Sequence, residues 1–590
     1  VSPSPIANLL LEMTPNLRKR EPIGGEGMQL NVISLLRSWR QRSPEQEAVC
    51  SYDVAASKRD GAPVLSGRLT VAELWDQVTA FGAALQKLGV GAGDVLALQV
   101  PNWHQSYVTY LAATAIGAVV MPISTIYRGR DLSRQLAIGG ATTMFVPARL
   151  GKREYVHEAL DLASAGGIPL FRQVIAIGQT GDTEGALIWE ELLEAGNAPE
   201  LAGARAAIGA GEFVRGPDDL LLLNFTSGTT GEPKGVMHTA RTILSSARAL
   251  IERLELTSED RFFVPTTLGH AAGFLNGLYV PLALGTTTIY MDSWDAGTAL
   301  RVIEDERVTY GPAMPTYLMD ILDHSDFSQR DISSWTRVRV SGGAIPRQVI
   351  AELQHRMPGL RLCPGWGMSE VLYGTCGSPD DPAEKLATSD GRPLLSAEIR
   401  VLGPAGESVP TGSVGEIAVR GPSVTPGYYG RENLTQQALT ADGWFRSGDL
   451  GFLDEDGFLT IAGRSKELVI RGGENVPVVE VEHLLNGHPR IRQAAVIGLP
   501  DRRLGERVCA VLELVDPGEQ LTVEEIREYL DEAGLTRQFI PEYVETVDEL
   551  PRTSLGKLRK FALKEKILAR RELERSEALP QTNHTTMGEK

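Results

Sequence analysis

Apolar and polar positions along the chain alternate in two rhythms. From about Leu69 to Pro147, short apolar runs (Val95–Val100, Ala118–Pro122, Thr142–Pro147) are separated by stretches with helical spacing. The rhythm resumes with Arg261–Val264, Thr286–Met291 and Arg337–Val340. Strands alternating with helices predict a parallel sheet with helices on its faces. From Glu398 to Ala462 the chain turns into short β-rich pieces broken by glycine and proline, which predicts a small barrel-like or distorted antiparallel subdomain. After Lys466 a shorter α/β module follows, with strands near Ala494–Leu499 and Val508–Leu514 and a helix near Val523–Leu530. A basic helix from Leu558 to about Ala569 closes it. A length of 590 residues exceeds one ordinary core, so division into domains is expected.

Composition narrows the class. Hydrophobic content of 42% and charged content of 23% are those of an ordinary globular protein, and no apolar run is long enough to span a membrane, so no stable membrane insertion is expected. The net charge of −17 disfavours non-specific nucleic-acid binding and anionic membrane surfaces. Cys50, Cys363, Cys376 and Cys509 lack zinc or redox spacing, which reads as reduced thiols in a cytoplasm. The N-terminal basic cluster follows the apolar residues, opposite to a secretory signal. Residues 1–28 are expected to be a loosely ordered lead-in and 576–590 a flexible tail.

An acidic chain that binds an anion must concentrate positive charge locally, and one segment is built for that. Thr226-Ser227-Gly228-Thr229-Thr230-Gly231-Glu232-Pro233-Lys234-Gly235 follows the strand-like run Leu220–Phe225 and precedes the amphipathic stretch Ala240–Leu254. Its glycines free backbone N–H groups, its hydroxyls donate, and its lysine adds charge, an inventory suited to a polyphosphate. The spacing is not that of the Walker loop. A surface loop of turn formers is the alternative.

This segment resembles the phosphate-binding signature of the adenylate-forming superfamily: acyl-CoA synthetases, aryl-acid ligases, peptide-synthetase adenylation domains and beetle luciferases. Four further segments appear in the family's order: Gly365–Glu370 (GWGMSE), Gly443–Gly451 (GWFRSGDLG), Gly463–Val476 (GRSKELVIRGGENV) and Leu550–Lys560 (LPRTSLGKLRK). The resemblance covers roughly Leu30 to Lys564. It implies a large N-terminal domain (29–464) of mainly parallel sheets with helices on their faces plus a β-rich subdomain. A small mobile α/β C-terminal domain (465–575) follows a hinge at Lys466, with the active site between the two. The chemistry implied is attack of a carboxylate on the α-phosphate of ATP, then displacement of AMP by a thiol.

Site residues follow from the same resemblance. Thr226, Ser227, Gly228, Thr229, Thr230 and Gly231 would hold the β- and γ-phosphates, and Lys234 either adds charge or is a solvated turn residue. Glu370, with Thr226, would bind Mg2+, whose preference is for hard oxygen ligands; an ordinary helix-start glutamate is the rival. Trp366 would stack on adenine, with Gly367, Met368, Gly343 and Ala344 lining the nucleotide site and Ser369 touching the α-phosphate. Asp449 would accept from the ribose hydroxyls, and Arg464 would lie near ribose and phosphates. Lys557 would bridge carboxylate and α-phosphate, a cation where charge develops. Gly472, Gly473 and Glu474 would line the tunnel for the CoA arm. Pro364 departs from the family, in which an amide or carboxylate side chain there bonds adenine. A backbone carbonyl is the available substitute.

Thr267–Gly273 matches the segment entering the acyl pocket. Ala271 stands where amino-acid-activating relatives carry aspartate, and a buried ammonium without a counter-ion is costly, so amino acids are disfavoured. His270 would orient or gate the substrate carboxylate, with a packed structural histidine as the rival. Ala272, Gly273, Gly342, Gly343 and Gly374 leave room for an alicyclic, terpenoid, aryl or fatty acid. Asp380–Arg392 resembles cyclohexanecarboxylate-type ligases. An AMP-forming acid–CoA ligase using ATP, Mg2+ and coenzyme A is therefore expected. The rivals are an adenylation enzyme loading a carrier protein, an enzyme running one half-reaction, luciferase-like oxygenation, and a non-catalytic adenylate-binding protein.

Overall fold

A computed structural model describes residues 31–178, 183–226, 232–341, 347–464, 469–471, 474–501, 504–535, 537–552 and 558–577. The fold is α/β, as the alternation predicts. The chain separates into two compact units, the second comprising Ile461–Lys590 with two short segments from upstream.

Two seven-stranded sheets make up most of the first unit. One runs in spatial order Arg361–Pro364, Arg337–Val340, Tyr310–Ala313, Arg261–Val264, Thr287–Met291, Glu47–Asp53, Val64–Thr70. Its pairs are parallel except the edge hairpin of the last two strands. The other runs Leu187–Ile188, Gln173–Ile177, Ala141–Pro147, Val95–Leu98, Val119–Pro122, Leu220–Thr226, Lys234–Thr239. It too is parallel up to an antiparallel last pair. Helices covering both faces explain why strands such as Ala141–Pro147 are buried at every position, Thr142 and Thr143 included. Alternate residues serve different cores: Leu96 and Leu98 join Phe262, Tyr290 and Tyr310 in the largest one, while Val95 and Ala97 pack with Met121 and Met144 on the far face.

The β-rich stretch forms a four-stranded sheet in the order Glu398–Leu402, Gly415–Arg420, Phe445–Leu453, Leu459–Arg464, with no pairing that closes it into a barrel among the described residues. Its first pair is antiparallel.

The second unit has its own core. The hairpin Ile491–Asp501 and Gly505–Leu514, longer than expected, carries Val469–Arg471 and Tyr543–Val547 alongside. Ala494 and Val496 face the helices Val478–Asn486 and Val523–Glu532, while Ala495 and Ile497 face Leu563 and Ile567 of the last helix. That helix spans Lys560–Glu577 rather than ending near Ala569. Arg571 pairs with Glu545 at 2.9 Å, and Arg570 with the same carboxylate, which ties its continuation to the sheet.

Candidate active site

Lys234–Thr239 is a strand that the pattern did not reveal. It pairs antiparallel with Leu220–Thr226, placing Thr226 opposite Lys234. The glycine- and hydroxyl-rich segment therefore closes a hairpin instead of leading into a helix, and the helix Ala240–Leu254 starts only after the second strand. Among the described residues the helix after this segment is therefore separated from it by a whole strand. Lys234 is the first residue of a strand, not a turn residue, and its Nζ lies 5.1 Å from the centre of the Tyr428 ring. The segment Thr425–Tyr429 clasps this hairpin: Tyr429 N donates to Gly235 O at 2.8 Å and Met237 N to Gly427 O at 3.1 Å.

A tight reversal follows the strand Arg361–Pro364. The amides of Gly374 and Thr375 both donate to Trp366 O, and those of Val371 and Leu372 to Met368 O. Leu372 takes a left-handed φ of 61°, a costly conformation for a non-glycine residue and of the kind that clusters at working sites. A Cβ on Gly367 would lie 2.1 Å from Leu372 O, so only glycine lets the chain fold back here.

Ser369 and Glu370 sit on that turn, not at a helix start, and several distant segments hold them. Tyr428 OH donates to Glu370 Oε1 at 2.8 Å, and Thr425 N donates to Glu370 O at 2.7 Å. Burial and then the Glu370 charge push the Tyr428 hydroxyl well above its usual range, so it stays a proton donor. Asn224 Nδ2 donates to Ser369 Oγ at 3.3 Å. His238 Nε2 donates to Ser369 O at 2.7 Å. Because a carbonyl only accepts, Nε2 carries the proton. Burial lowers the His238 pKa to about 4 against the raising effect of that bond, so the ring is neutral at pH 7. Glu370 is 7% exposed, and its carboxylate is a hard oxygen donor of the kind that suits Mg2+.

On the acyl side, Asn102 shapes the turn before His270. Its side chain accepts from Leu268 N at 2.9 Å and donates to Val264 O and Thr266 O at 3.0 and 2.9 Å. His270 precedes the helix Ala271–Phe274, where Ala271 and Ala272 are half-buried. The helix then passes through a π-turn, Leu275–Tyr279, before Val280–Leu284. For two expected pocket glycines the structure supplies a packing reason. A Cβ on Gly273 would lie 1.9 Å from Thr267 O, and one on Gly374 would lie 2.5 Å from the Trp366 ring.

Trp366 is buried, and its backbone N–H donates to Thr375 Oγ1 at 3.0 Å. The Pro364 carbonyl, one backbone substitute for the absent adenine-binding side chain, already accepts from Gly377 N at 2.8 Å. Asp449 is buried within the strand Phe445–Leu453 rather than at a turn. Arg464 ends the strand Leu459–Arg464 and Glu474 begins Glu474–Val476. Ser227, Gly228, Thr229, Thr230, Gly231, Gly342, Gly343, Ala344, Lys466, Gly472, Gly473 and Lys557 lie outside the described residues. Asn224, His238, Asn102 and Tyr428 escaped the sequence reading. The visible signal was a lone polar residue inside an apolar strand, as in Leu-Asn-Phe and Met-His-Thr.

The sequence model described as AMP-binding enzyme matches residues 37–429, and the one for the AMP-binding enzyme C-terminal domain matches 480–557. The medium-chain fatty-acid–CoA ligase of Escherichia coli K12 is 34% identical, over 82% of this chain and 83% of its own length. A Rhodococcus jostii ligase, named 3-[(3aS,4S,7aS)-7a-methyl-1,5-dioxo-octahydro-1H-inden-4-yl]propanoyl:CoA ligase, is 33% identical over 84% of this chain and 94% of its own. Among solved structures, ATP-bound MatB from Rhodopseudomonas palustris superposes with a TM-score of 0.78 at 25% identity, covering 91% of this chain and 99% of MatB. Among the described residues no helix is long and apolar enough to cross a membrane.

Proposed function

The chain belongs to the AMP-binding enzyme family, and on that premise we propose that it is an AMP-forming acid–CoA ligase for a hydrophobic carboxylic acid. Its substrates are the acid, ATP and coenzyme A. In the first step a carboxylate oxygen bonds to the α-phosphorus and the bond to pyrophosphate breaks. In the second the CoA thiol bonds to the acyl carbon, and the bond to AMP breaks.

The observation that carries this reading is the Ser369–Glu370 turn, held by Asn224, His238, Thr425 and Tyr428. Groups fixed before substrate arrives cost no reorganisation as charge develops on phosphorus. In this proposal Ser369 Oγ, aimed by the Asn224 amide, meets the α-phosphate. Mg2+ supplies charge neutralisation on the phosphates, and the Glu370 carboxylate, aimed by the Tyr428 hydroxyl, would hold it with Thr226. Ser227–Gly231 and Lys234 take the outer phosphates, Trp366 the adenine, and Asp449 and Arg464 the ribose. Lys557 serves adenylation, and Gly472, Gly473 and Glu474 admit the thiol arm. Lys466 is the hinge between the large domain, 29–464, and the small one, 465–575. His270 orients the acid beside Ala271 and Ala272, and the lack of an anion at position 271 favours apolar acids. The named substrates of the two curated relatives support that class. The buried thiols of Cys50, Cys363, Cys376 and Cys509 fit a cytoplasmic home.

The test is a panel of carboxylic acids with ATP, following pyrophosphate exchange and CoA-thioester mass separately, with a holo-carrier protein as rival acceptor. Lys557→Ala should abolish exchange while sparing thioester formation from supplied acyl-AMP. Equal loss of both steps would remove Lys557 from adenylation, and exchange with no acid would refute the ligase reading.

A further inference from the structure

Asn102 lies just beyond the strand Val95–Leu98 of one seven-stranded sheet, yet its side chain is spent on a segment of the other. It is buried, and its three hydrogen bonds all go to the backbone between the strand Arg261–Val264 and His270. Leu268 offers an N–H that only donates, and Val264 and Thr266 offer carbonyls that only accept, so the amide has one possible orientation. Aspartate, of the same shape, would set an oxygen against two carbonyl oxygens. Only asparagine serves this turn.

Two further contacts brace the turn from the same side. Tyr110, on the helix His104–Ala115, donates its buried hydroxyl to Leu268 O at 3.0 Å. Gly269 lies against the loop that follows the strand Val119–Pro122, where a Cβ would come 2.8 Å from Ser124 N. Gln99 Nε2 holds that loop by donating to Ser124 O at 3.1 Å. Within the turn, His270 N donates to Thr267 O at 3.2 Å, and His270 O accepts from Phe274 N at 3.0 Å as the helix Ala271–Phe274 begins. The backbone that delivers His270 is thus fixed from the opposite sheet before any substrate arrives.

We propose that Asn102 is a positioning residue for the acid: by fixing the turn 264–269 it sets where the His270 side chain meets the substrate carboxylate, and Tyr110 braces the same turn. The inference rests on the ligase reading above and on His270 as the residue that orients the acid. A displacement of about 1 Å at such a point costs as much as 100-fold in rate. The effect is confined to the acid, because the Ser369–Glu370 turn is held by a separate set of bonds from Asn224, His238, Thr425 and Tyr428.

A double-mutant cycle in pyrophosphate exchange tests it. The probe is whichever of hexanoate, octanoate, decanoate, benzoate and cyclohexanecarboxylate the wild-type protein uses best. Asn102→Ala should lower kcat/KM for that acid at least ~10-fold while KM for ATP stays within about twofold. His270→Ala should lower it as well, and the double variant should fall no more than about twofold below His270→Ala alone, since Asn102 acts through that side chain. A general loss of folding integrity would instead multiply the two losses and move KM for ATP. If Asn102→Ala does not fold, Tyr110→Phe takes its place in the cycle, with an expected loss of about threefold and the same non-additivity. Multiplying losses, a KM for ATP that rises with that of the acid, or an unchanged efficiency in His270→Ala overturns the proposal. Exchange with none of the acids is a different result, which strikes the ligase reading and this inference with it.

Discussion

Two buried charges, Glu306 after the helix Ala296–Asp305 and Arg339 on the strand Arg337–Val340, have opposite company. Glu306, 8% exposed, receives the Tyr52 hydroxyl and two guanidinium groups, Arg68 at 2.6 Å and Arg261 in direct contact, and Glu47 completes the cluster with Arg261 at 3.1 Å. Burial works to raise its carboxyl pKa, but the Tyr52 hydroxyl and the two arginines outweigh burial and hold it below the usual range. Arg339 has one hydroxyl, one thiol and one aromatic ring. Glu306 has countercharges that offset its burial, whereas Arg339 has none among the described residues. Glu47, Cys50 and Glu306 do place ligand atoms close enough for a metal, but two arginines already balance the two carboxylates, so the cluster reads as structural.

The largest effect should come from breaking the complete cluster. Glu306→Gln removes one partner and leaves two arginines sharing Glu47, which should cost roughly 3–5 kcal/mol of unfolding free energy in urea titrations. A cost under about 1 kcal/mol would show that the cluster is no more valuable than a surface ion pair.

Next comes a group kept neutral. His238 has a folded pKa of about 4 against an ordinary 6.5, so the unfolded chain binds a proton that the folded one refuses. Stability therefore falls as pH drops from about 6.5 to about 4, by up to about 3 kcal/mol for this residue, with His104 shifted the same way. The Glu306 contribution runs on a separate window, present above the ordinary carboxylate range and lost as pH falls through its lowered pKa. Unfolding midpoints measured from pH 7 to 4.5 should fall, and His238→Gln should flatten that slope by about one proton. An unchanged slope would place its titration elsewhere.

A third experiment manufactures an uncompensated charge. Ala271→Asp puts a carboxylate where the proposed function has the acid's apolar body, and kcat/KM for the preferred acid should fall at least ~10-fold, about 1.4 kcal/mol. An unchanged value would mean that residue 271 faces away from the substrate.

The smallest effect is the most telling. Because Arg339 is buried without a countercharge among the described residues, Arg339→Met should change the stability of the protein by less than about 1 kcal/mol, or raise it, as replacement of buried charge by apolar side chains often does. A loss as large as that from Glu306→Gln would erase the contrast between the two sites.

Much of this organisation could be read from residues in order. The buried parallel strands announced themselves as apolar runs, and the motif Gly365–Glu370 fell on the tight turn after the strand Arg361–Pro364. Lys234–Thr239 stayed hidden because a six-residue strand beginning Lys-Gly looks like the end of a loop, and its partner lies across that loop. Arg-Val-Arg-Val at 337–340 alternates like a half-exposed strand, yet both of its edges are paired and Arg339 is buried. Local period cannot report which strands lie alongside. The company of Ser369 and Glu370 is out of reach for a similar reason, since His238 and Tyr428 come from segments 131 and 58 residues away.

The π-turn at Leu275–Tyr279 carries a lesson about chain length. Each residue advances an α-helix by about 100°, so deleting one residue inside the wide turn would rotate everything before it against everything after it. Asn276 could then no longer face Tyr310 and Tyr373 while Leu278 and Tyr279 keep their places in the core. Insertions and deletions, more than point changes, are therefore the coarse dial for this stretch, and libraries that vary the length of Ala271–Leu284 should reset the facing of Asn276 in discrete steps.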